Sequence, residues 1–271
     1  MAGLVARTGR ARPVTAAVQR TPLLIPLAQR PGPLPAVLIH PAGGGLGQYL
    51  ALAGRLARHG AVHGIRAAGL LPDEEPQDSV AAMTDAYLRL IEALPERPRL
   101  LAGWSLGGVL AWELAARLAA DGPAPAVALV DSFAAHDVFD AGERAGFREA
   151  IEQSVSTLGS GPDIARARAT AEAHVTASTA HRTRVRGSGP ALLVACASPY
   201  REQQVARWGE LADRLTVRAL DCGHFDVFEP AHQPALLGHV DAFLAELTAG
   251  PEVPEAVPGA ELTAVPRKDK S

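Results

Sequence analysis

One serine lies in a short segment whose pattern suits nucleophilic chemistry. The pattern G-x-S-x-G is matched by residues 103–107, which read GWSLG. Residues 99–102 before it predict a strand, and residues 109–120 after it have the spacing of a helix. In that setting the serine lies on a tight strand-to-helix turn, with the partial positive charge of a helix N-terminus nearby. We therefore predict that Ser105 is a nucleophile.

A serine hydroxyl needs a general base, and His224 is the candidate with the most suitable position. It belongs to the segment DCGHF at residues 221–225, directly after the predicted strand 215–220. Open α/β sheets bind ligands at the carboxyl ends of their strands. His174 and His181 share one face of a predicted helical segment. We interpret these two as packed or solvated groups, with the lining of a channel as the alternative.

The acid that would orient this histidine is Asp131. It directly follows the apolar run 126–130, so it lies at the carboxyl end of the strand after the nucleophile. The chain order Ser105, Asp131, His224 is the order of α/β-hydrolases. A position after the strand 191–195 is the alternative, but the first carboxylate there is Glu202. Asp226 is too close to the histidine in sequence to orient it.

Stabilisation of an oxyanion requires two backbone N–H donors near the serine. Leu106, the residue after the nucleophile, is predicted to supply one. The loop after the strand 36–40 is predicted to supply the other. Pro41 has no N–H, which leaves Ala42 as the first choice and Gly43 as the alternative.

Alternating strands and helices would position these residues. Together with the serine motif, they predict an α/β class protein with the α/β-hydrolase fold: a mostly parallel sheet, helices on both faces and a helical lid insertion. Residues 21–248 are predicted to form the domain, with the lid at about 133–187, a flexible leader at 1–20 and a disordered tail at 249–271. Strands are predicted at residues 23–27, 36–40, 61–65, 99–102, 126–130, 191–195 and 215–220. Helices are predicted at about 47–59, 79–94, 109–120 and 233–247, and another follows the strand 191–195 and ends at about residue 212.

Composition excludes several other classes of protein. A net charge of -3 does not suit a nucleic-acid binder. No apolar run reaches the roughly 20 residues of a membrane span, and we expect a cytoplasmic protein. Cys196 and Cys222 indicate neither a disulfide framework nor a metal site. The arginines of the acid-free stretch before Asp73 are interpreted as ordinary surface groups, or alternatively as a basic surface for an acidic partner.

Several of these segments together resemble the thioesterase domains of nonribosomal peptide and polyketide synthases. The resemblance covers roughly residues 23–247 and is carried by HPAGG at 40–44, GWSLGG at 103–108, LVDSF at 129–133 and CGHF at 222–225.

The resemblance implies that the serine takes an acyl or peptidyl chain from the phosphopantetheine arm of a carrier protein, through an acyl-enzyme. Hydrolysis or cyclisation then releases the chain, in antibiotic or other natural-product biosynthesis. It implies the roles of nucleophile for Ser105, orienting acid for Asp131 and base for His224. The partner would be an acyl or peptidyl carrier protein, and the enzyme would need no cofactor of its own.

Four other functions remain as alternatives. A general carboxylester hydrolase would use the same three residues, and an editing (type II) thioesterase would act on the same carriers. A macrocyclase differs in its lid cavity, and a non-catalytic module would only recognise acylated carriers. Trp104 favours the peptide-synthase branch of the family, and Asp131 favours the chain-releasing type. Because no carrier segment precedes residue 21, we expect a separate protein acting in trans, with an excised domain as the alternative.

Overall fold

The computed structural model of the protein describes residues 22–156 and 161–249, and a seven-stranded sheet lies at the centre of this part. The strands are β1 (Leu24–Ala28), β2 (Ala36–Ile39), β3 (Val62–Ile65), β4 (Leu100–Trp104), β5 (Ala126–Val130), β6 (Gly187–Cys196) and β7 (Ala212–Leu220). Their order across the sheet is β1-β3-β2-β4-β5-β6-β7. Neighbouring strands are parallel except at one edge, where β1 is antiparallel to β3.

Apolar runs that follow a proline form the inner strands. Pro35 precedes β2 and Pro125 precedes β5, and every residue of both strands is buried. A strand of a parallel sheet is covered on both faces, so its sequence is continuously apolar and does not alternate. The fold class predicted from the sequence is confirmed by this architecture.

Helices cover the two faces of the sheet. The helices are α1 (Leu50–Leu56), α2 (Val80–Glu92), α3 (Leu106–Leu118), α4 (Ala141–Ser156), α5 (Pro162–Ala180), α6 (Arg201–Leu211) and α7 (Gln233–Ala249). One core cluster joins Val37 and Ile39 of β2 to α2, α3 and α6, whereas another joins Ala36 and Leu38 to α1 and α7. Alternate residues of one strand point to opposite faces, which explains the division.

Some boundaries differ from the sequence prediction for identifiable reasons. Helix α3 begins at Leu106 and not at residue 109. Two glycines open this helix, and glycine has a low intrinsic helix propensity, so packing decides the true start. The helix predicted at 47–59 is a 3-10 turn at Gly47–Tyr49 followed by the shorter α1. Helix α2 starts where predicted, because the Ser79 hydroxyl accepts a hydrogen bond from the Ala82 N–H at 3.2 Å.

Two helices, α4 and α5, lie in the chain between β5 and β6, where the lid was predicted for residues 133–187. The exact limits of the domain and lid stay predictions. The leader predicted at 1–20 lies outside the described residues, as does the tail predicted at 249–271 except for Ala249, the last residue of α7. Among the described helices, none combines the length and hydropathy that crossing a membrane requires.

Candidate active site

Ser105 occupies a strained turn between β4 and α3. Its φ of 56° and ψ of -124° lie in a region that non-glycine residues rarely adopt, at a typical cost of about 1–3 kcal/mol. The glycines of the motif have a steric cause. A Cβ added to Gly103 would lie 2.2 Å from the carbonyl carbon of Gly107, and one added to Gly107 would lie 2.3 Å from the Ile39 carbonyl oxygen. The tight turn therefore requires glycine at both positions.

Asp131 and His224 meet at the carboxyl ends of their strands. The His224 Nδ1 lies 2.7 Å from Asp131 Oδ2. A carboxylate oxygen accepts, so Nδ1 carries the hydrogen and Nε2 keeps its lone pair free to act as a base. Asp131 itself has a positive φ of 41° directly after β5. The neighbouring Asp226 accepts from the Gly223 N–H at 3.2 Å, so it closes the loop of His224 without taking the place of Asp131.

The second oxygen of Asp131 is also fully engaged. Oδ1 accepts from the Cys196 N–H at 3.0 Å and from Gln204 Nε2 at 3.1 Å. Burial acts to raise the pKa of Asp131, which is 2% exposed, but the hydrogen bond and charge of His224, with the two Oδ1 donors, outweigh it. The net effect lowers the pKa, so the carboxylate remains ionised beside the imidazole.

The two predicted oxyanion donors belong to two separate segments, the start of α3 and the loop after β2. Leu106 is the first residue of α3, so its N–H has no partner within the helix. Ala42 lies in the loop after β2, where a turn is closed by the Gly44 N–H donating to the Pro41 carbonyl at 2.8 Å. Ala42 and Ser105 line the same cavities. The wider cavity also includes Gly43, so the choice between Ala42 and Gly43 stays a prediction.

Ser105 lies in the wall of two cavities. An inner cavity of about 30 Å³ under the lid is lined by Phe139, Phe147, Ile151 and Val175 as well as Ser105. An outer cavity of about 230 Å³ has Ser105, His224 and Phe225 in its wall. The small inner volume shows that a long chain would have to displace lid side chains to enter.

Aromatic rings surround His224. The Trp104 ring centroid lies 5.0 Å from that of the histidine on one side, and Phe147 of α4 lies 4.8 Å away. The residue before the nucleophile and the lid thus both touch the proposed base. These contacts limit the movement of the imidazole, whose side chain is 14% exposed.

Sequence reasoning missed Gln204 as a partner of Asp131. Gln204 is 1% exposed on α6, and it is 73 residues away from Asp131 in the chain. No local pattern signals such a contact. His174, interpreted as packed or solvated, is packed, since it is only 1% exposed. His181 forms a hydrogen bond with Glu113 of α3, with Nε2 and Oε1 2.9 Å apart.

Two other groups of side chains have structural roles, and neither belongs to the candidate site. Arg66, one of the arginines of the acid-free stretch, is 6% exposed and pairs with Glu74 at 2.7 Å, so it is not part of a basic surface. The sulfur atoms of Cys196 and Cys222 lie 3.7 Å apart as buried free thiols, and burial raises the pKa of both. Within residues 22–156 and 161–249, no three His, Cys, Asp or Glu side chains are grouped to hold a metal ion.

Comparison with known proteins identifies the family. Residues 35–244 match the model of the Thioesterase domain. Thioesterase frbE of Dothideomycetidae sp. is 38% identical over 102 residues, which are 36% of this chain and 38% of that protein. Nonribosomal peptide synthetase btyA of Aspergillus terreus is 41% identical over 85 residues, 31% of this chain and 9% of that protein. The chain therefore spans well under half the length of these curated relatives.

A solved structure supports the fold over a longer stretch. The RedJ thioesterase from the prodiginine biosynthetic pathway in Streptomyces coelicolor has a TM-score of 0.66 and 24% identity, covering 83% of this chain and 98% of that one. At this identity the likeness concerns the fold alone. The family model covers most of the sequence, and the chain belongs to the thioesterase domain family, as its motifs predicted.

Proposed function

We propose that this protein is a serine thioesterase that releases an acyl or peptidyl chain from a phosphopantetheinyl carrier protein. The observation that carries the proposal is the 2.7 Å hydrogen bond between Asp131 and His224, in the same site as the strained turn of Ser105. His224 and Ser105 line one cavity, as a general base and its nucleophile must.

In the first half-reaction, Ser105 Oγ attacks the thioester carbonyl carbon and His224 Nε2 takes the hydroxyl proton. Asp131 accepts the hydrogen bond of Nδ1–H and stabilises the imidazolium without becoming protonated. The carbonyl oxygen becomes an oxyanion, for which Leu106 and Ala42 supply N–H donors. Loss of one such donor typically costs about 3 kcal/mol of transition-state stabilisation. The C–S bond then breaks, and the imidazolium returns the proton to the pantetheine thiolate.

In the second half-reaction, water or a nucleophile within the chain attacks the acyl-enzyme. His224 takes the proton of the attacking group and gives it to Ser105 Oγ as the ester bond breaks. The rings of Trp104 and Phe147 lie against His224 and keep bulk solvent away from it. Access of water to the acyl-enzyme therefore depends on the lid, which would set the balance between hydrolysis and cyclisation.

The two cavities suit the two parts of such a substrate. The wider outer cavity would admit the pantetheine arm to Ser105. The inner cavity, whose wall combines apolar side chains with Glu143 and Arg144, would receive the acyl chain beneath α4 and α5. Burial of an apolar chain contributes about 0.8 kcal/mol per methylene. The lid should therefore discriminate among acyl chains by their length and shape.

Thiol release from acyl and peptidyl N-acetylcysteamine thioesters, compared with matched oxygen esters, tests the proposal. Ser105→Ala should lower kcat by about three orders of magnitude or more on the thioesters. Ser188→Ala, at an exposed serine on β6, is the matched control and should retain wild-type turnover. The same measurements on a chain loaded onto a carrier protein should give a higher kcat/KM.

Two results would contradict the proposal. Equal turnover by wild type and Ser105→Ala would exclude the serine mechanism. Faster turnover of the oxygen esters than of thioesters, on a carrier or free, would instead identify a carboxylester hydrolase.

A further inference from the structure

His174 of the lid helix α5 is hydrogen bonded to the loop of the proposed oxyanion hole. Its Nδ1 lies 2.9 Å from the Ala42 carbonyl oxygen, across 132 residues of chain. A carbonyl oxygen only accepts, so His174 Nδ1 carries the hydrogen and donates it. The bond links the lid directly to the residue predicted to stabilise the oxyanion.

A second imidazole holds the preceding carbonyl of the same loop. His40 Nδ1–H donates to the Pro41 carbonyl at 2.8 Å, and its Nε2 accepts from the Tyr87 hydroxyl at 2.6 Å. The rings of His40 and His174 stack, with centroids 4.9 Å apart and planes 21° from parallel. Two consecutive carbonyls of the loop are therefore fixed by two stacked rings.

Peptide geometry converts these bonds into control of the N–H groups. In a planar trans peptide the N–H points opposite to the C=O of the same unit. Fixing the Pro41 carbonyl sets the direction of the Ala42 N–H, and fixing the Ala42 carbonyl sets that of Gly43. A histidine thus contributes to the direction of each candidate donor, although the Pro41 carbonyl also accepts from the Gly44 N–H at 2.8 Å. The bond from His174 in addition holds Ala42 in place from the lid side.

The surroundings of this bond are buried and largely apolar. The Ala42 side chain packs with Ile151, Ala171 and Val175 of the lid helices. His174 is 1% exposed, and its Nε2 has no hydrogen-bond partner among the described residues. Burial lowers the pKa of His174, so the ring stays neutral with a single N–H. A buried acceptor without a partner, such as this Nε2, lowers the stability of the folded state. A purely apolar side chain would avoid that cost, so packing alone does not account for a histidine here.

We propose that His174 is a positioning residue that makes the oxyanion hole depend on the lid. With α5 packed over the loop, Nδ1–H orients Ala42 and its adjoining amides for the transition state. When α5 moves away, the loop loses this bond and the hole loosens, so efficient acyl transfer requires the lid to be closed. This inference rests on the proposed function.

Three variants separate positioning from packing. His174→Phe keeps a stacked ring but removes the donor, whereas His174→Asn supplies a side-chain amide nitrogen that reaches about the position of Nδ1 and can donate. Thr176→Ala, on the exposed face of the same helix, is the control. We expect His174→Phe to lower kcat by about 10- to 100-fold with little change in KM, because the loss falls on transition-state binding. His174→Asn should recover most of kcat, and Thr176→Ala should match wild type.

Thermal melts of the same variants complete the test. If His174→Asn recovers kcat although its Tm is no higher than that of His174→Phe, the result supports a positioning role for His174. Wild-type kcat in His174→Phe would overturn the inference, and so would losses in both variants that simply follow their Tm. If Ser105→Ala were as active as wild type, the proposed function itself would fail. A serine-dependent enzyme indifferent to His174→Phe would overturn only the present inference.

Discussion

The strand ends that carry Ser105 and Asp131 differ sharply from the lid that covers them. Asp131 is held by three hydrogen bonds from three separate elements, and Ser105 by a turn with no room for larger neighbours. The lid helices α4 and α5 reach this site through a few side chains, chiefly Phe147 and His174.

This difference separates two tasks. The chemistry requires atoms fixed to within a fraction of an ångström, which buried strand ends provide. Admission of a substrate requires a cover that can move, and sparse contacts make movement inexpensive in free energy. Substitutions at the strand ends should therefore change kcat strongly. Substitutions in the lid, apart from those at His174, should act mainly on substrate selection.

The largest expected effect comes from Asp131→Asn. The amide oxygen of Asn would face the two donors Cys196 N–H and Gln204 Nε2. Its NH2 group would then face His224 Nδ1 and donate to it, so His224 would favour the wrong tautomer, at a cost of about 10⁴-fold in kcat. Asp221→Asn, at a side chain that is 99% exposed nearby, is the control and should keep wild-type kcat. Steady-state hydrolysis of one thioester measures both. A loss below tenfold for Asp131→Asn would assign the orienting role to another acid.

A smaller effect is expected from acid, which acts on the buried histidines where the lid meets the sheet. Burial is the main cause that lowers the pKa of His40 to about 3 and that of His136 to about 4, from 6.5. The unfolded chain then binds more protons, so stability is fully present above about pH 6.5 and falls as the pH decreases towards these values. The fully buried His40 alone should make the free energy of unfolding about 2 kcal/mol smaller at pH 5 than at pH 7.5.

Urea denaturation between pH 7.5 and pH 5 measures this dependence. His136→Asn removes one of the titrating groups, so its stability should fall less steeply than that of wild type over the same range. Equal stability of wild type at both ends of the range would show that these histidines are not held neutral.

The smallest effect is expected from Phe147→Ala in the lid. Loss of its ring contacts with His224 and Phe225, at 4.8 and 5.3 Å, should cost about 1 kcal/mol, or roughly fivefold in kcat/KM. The change should vary with the acyl chain of the substrate, whereas that of Asp131→Asn should not. Phe147→Leu keeps an apolar side chain and should lie between wild type and Phe147→Ala. A uniform hundredfold loss would contradict the division between lid and strand ends.

The sequence predicted the parts of the molecule that are determined by residues close together in the chain. Apolar runs located the strands, and the motif around Ser105 located the turn, because both are set by residues close together in the chain. The contacts of Gln204 with Asp131 and of His174 with Ala42 could not be predicted from the sequence. They join residues 73 and 132 positions apart, and only the packed fold brings them together. The start of α3 was also misplaced, because tertiary packing overrides the weak helix propensity of Gly107 and Gly108.

The close approach of Gly107 to the Ile39 carbonyl has an evolutionary consequence. Substitution of Gly107 by any other residue would disrupt the fold during evolution, since even a methyl group would collide with a neighbouring strand. Substitutions that change function are then expected mainly in the lid, where a changed side chain can alter which substrates the enzyme accepts and leave its reaction unchanged. The same asymmetry tells a protein engineer where to place a combinatorial library: in α4 and α5, with His174 and residues 103–108 left unchanged.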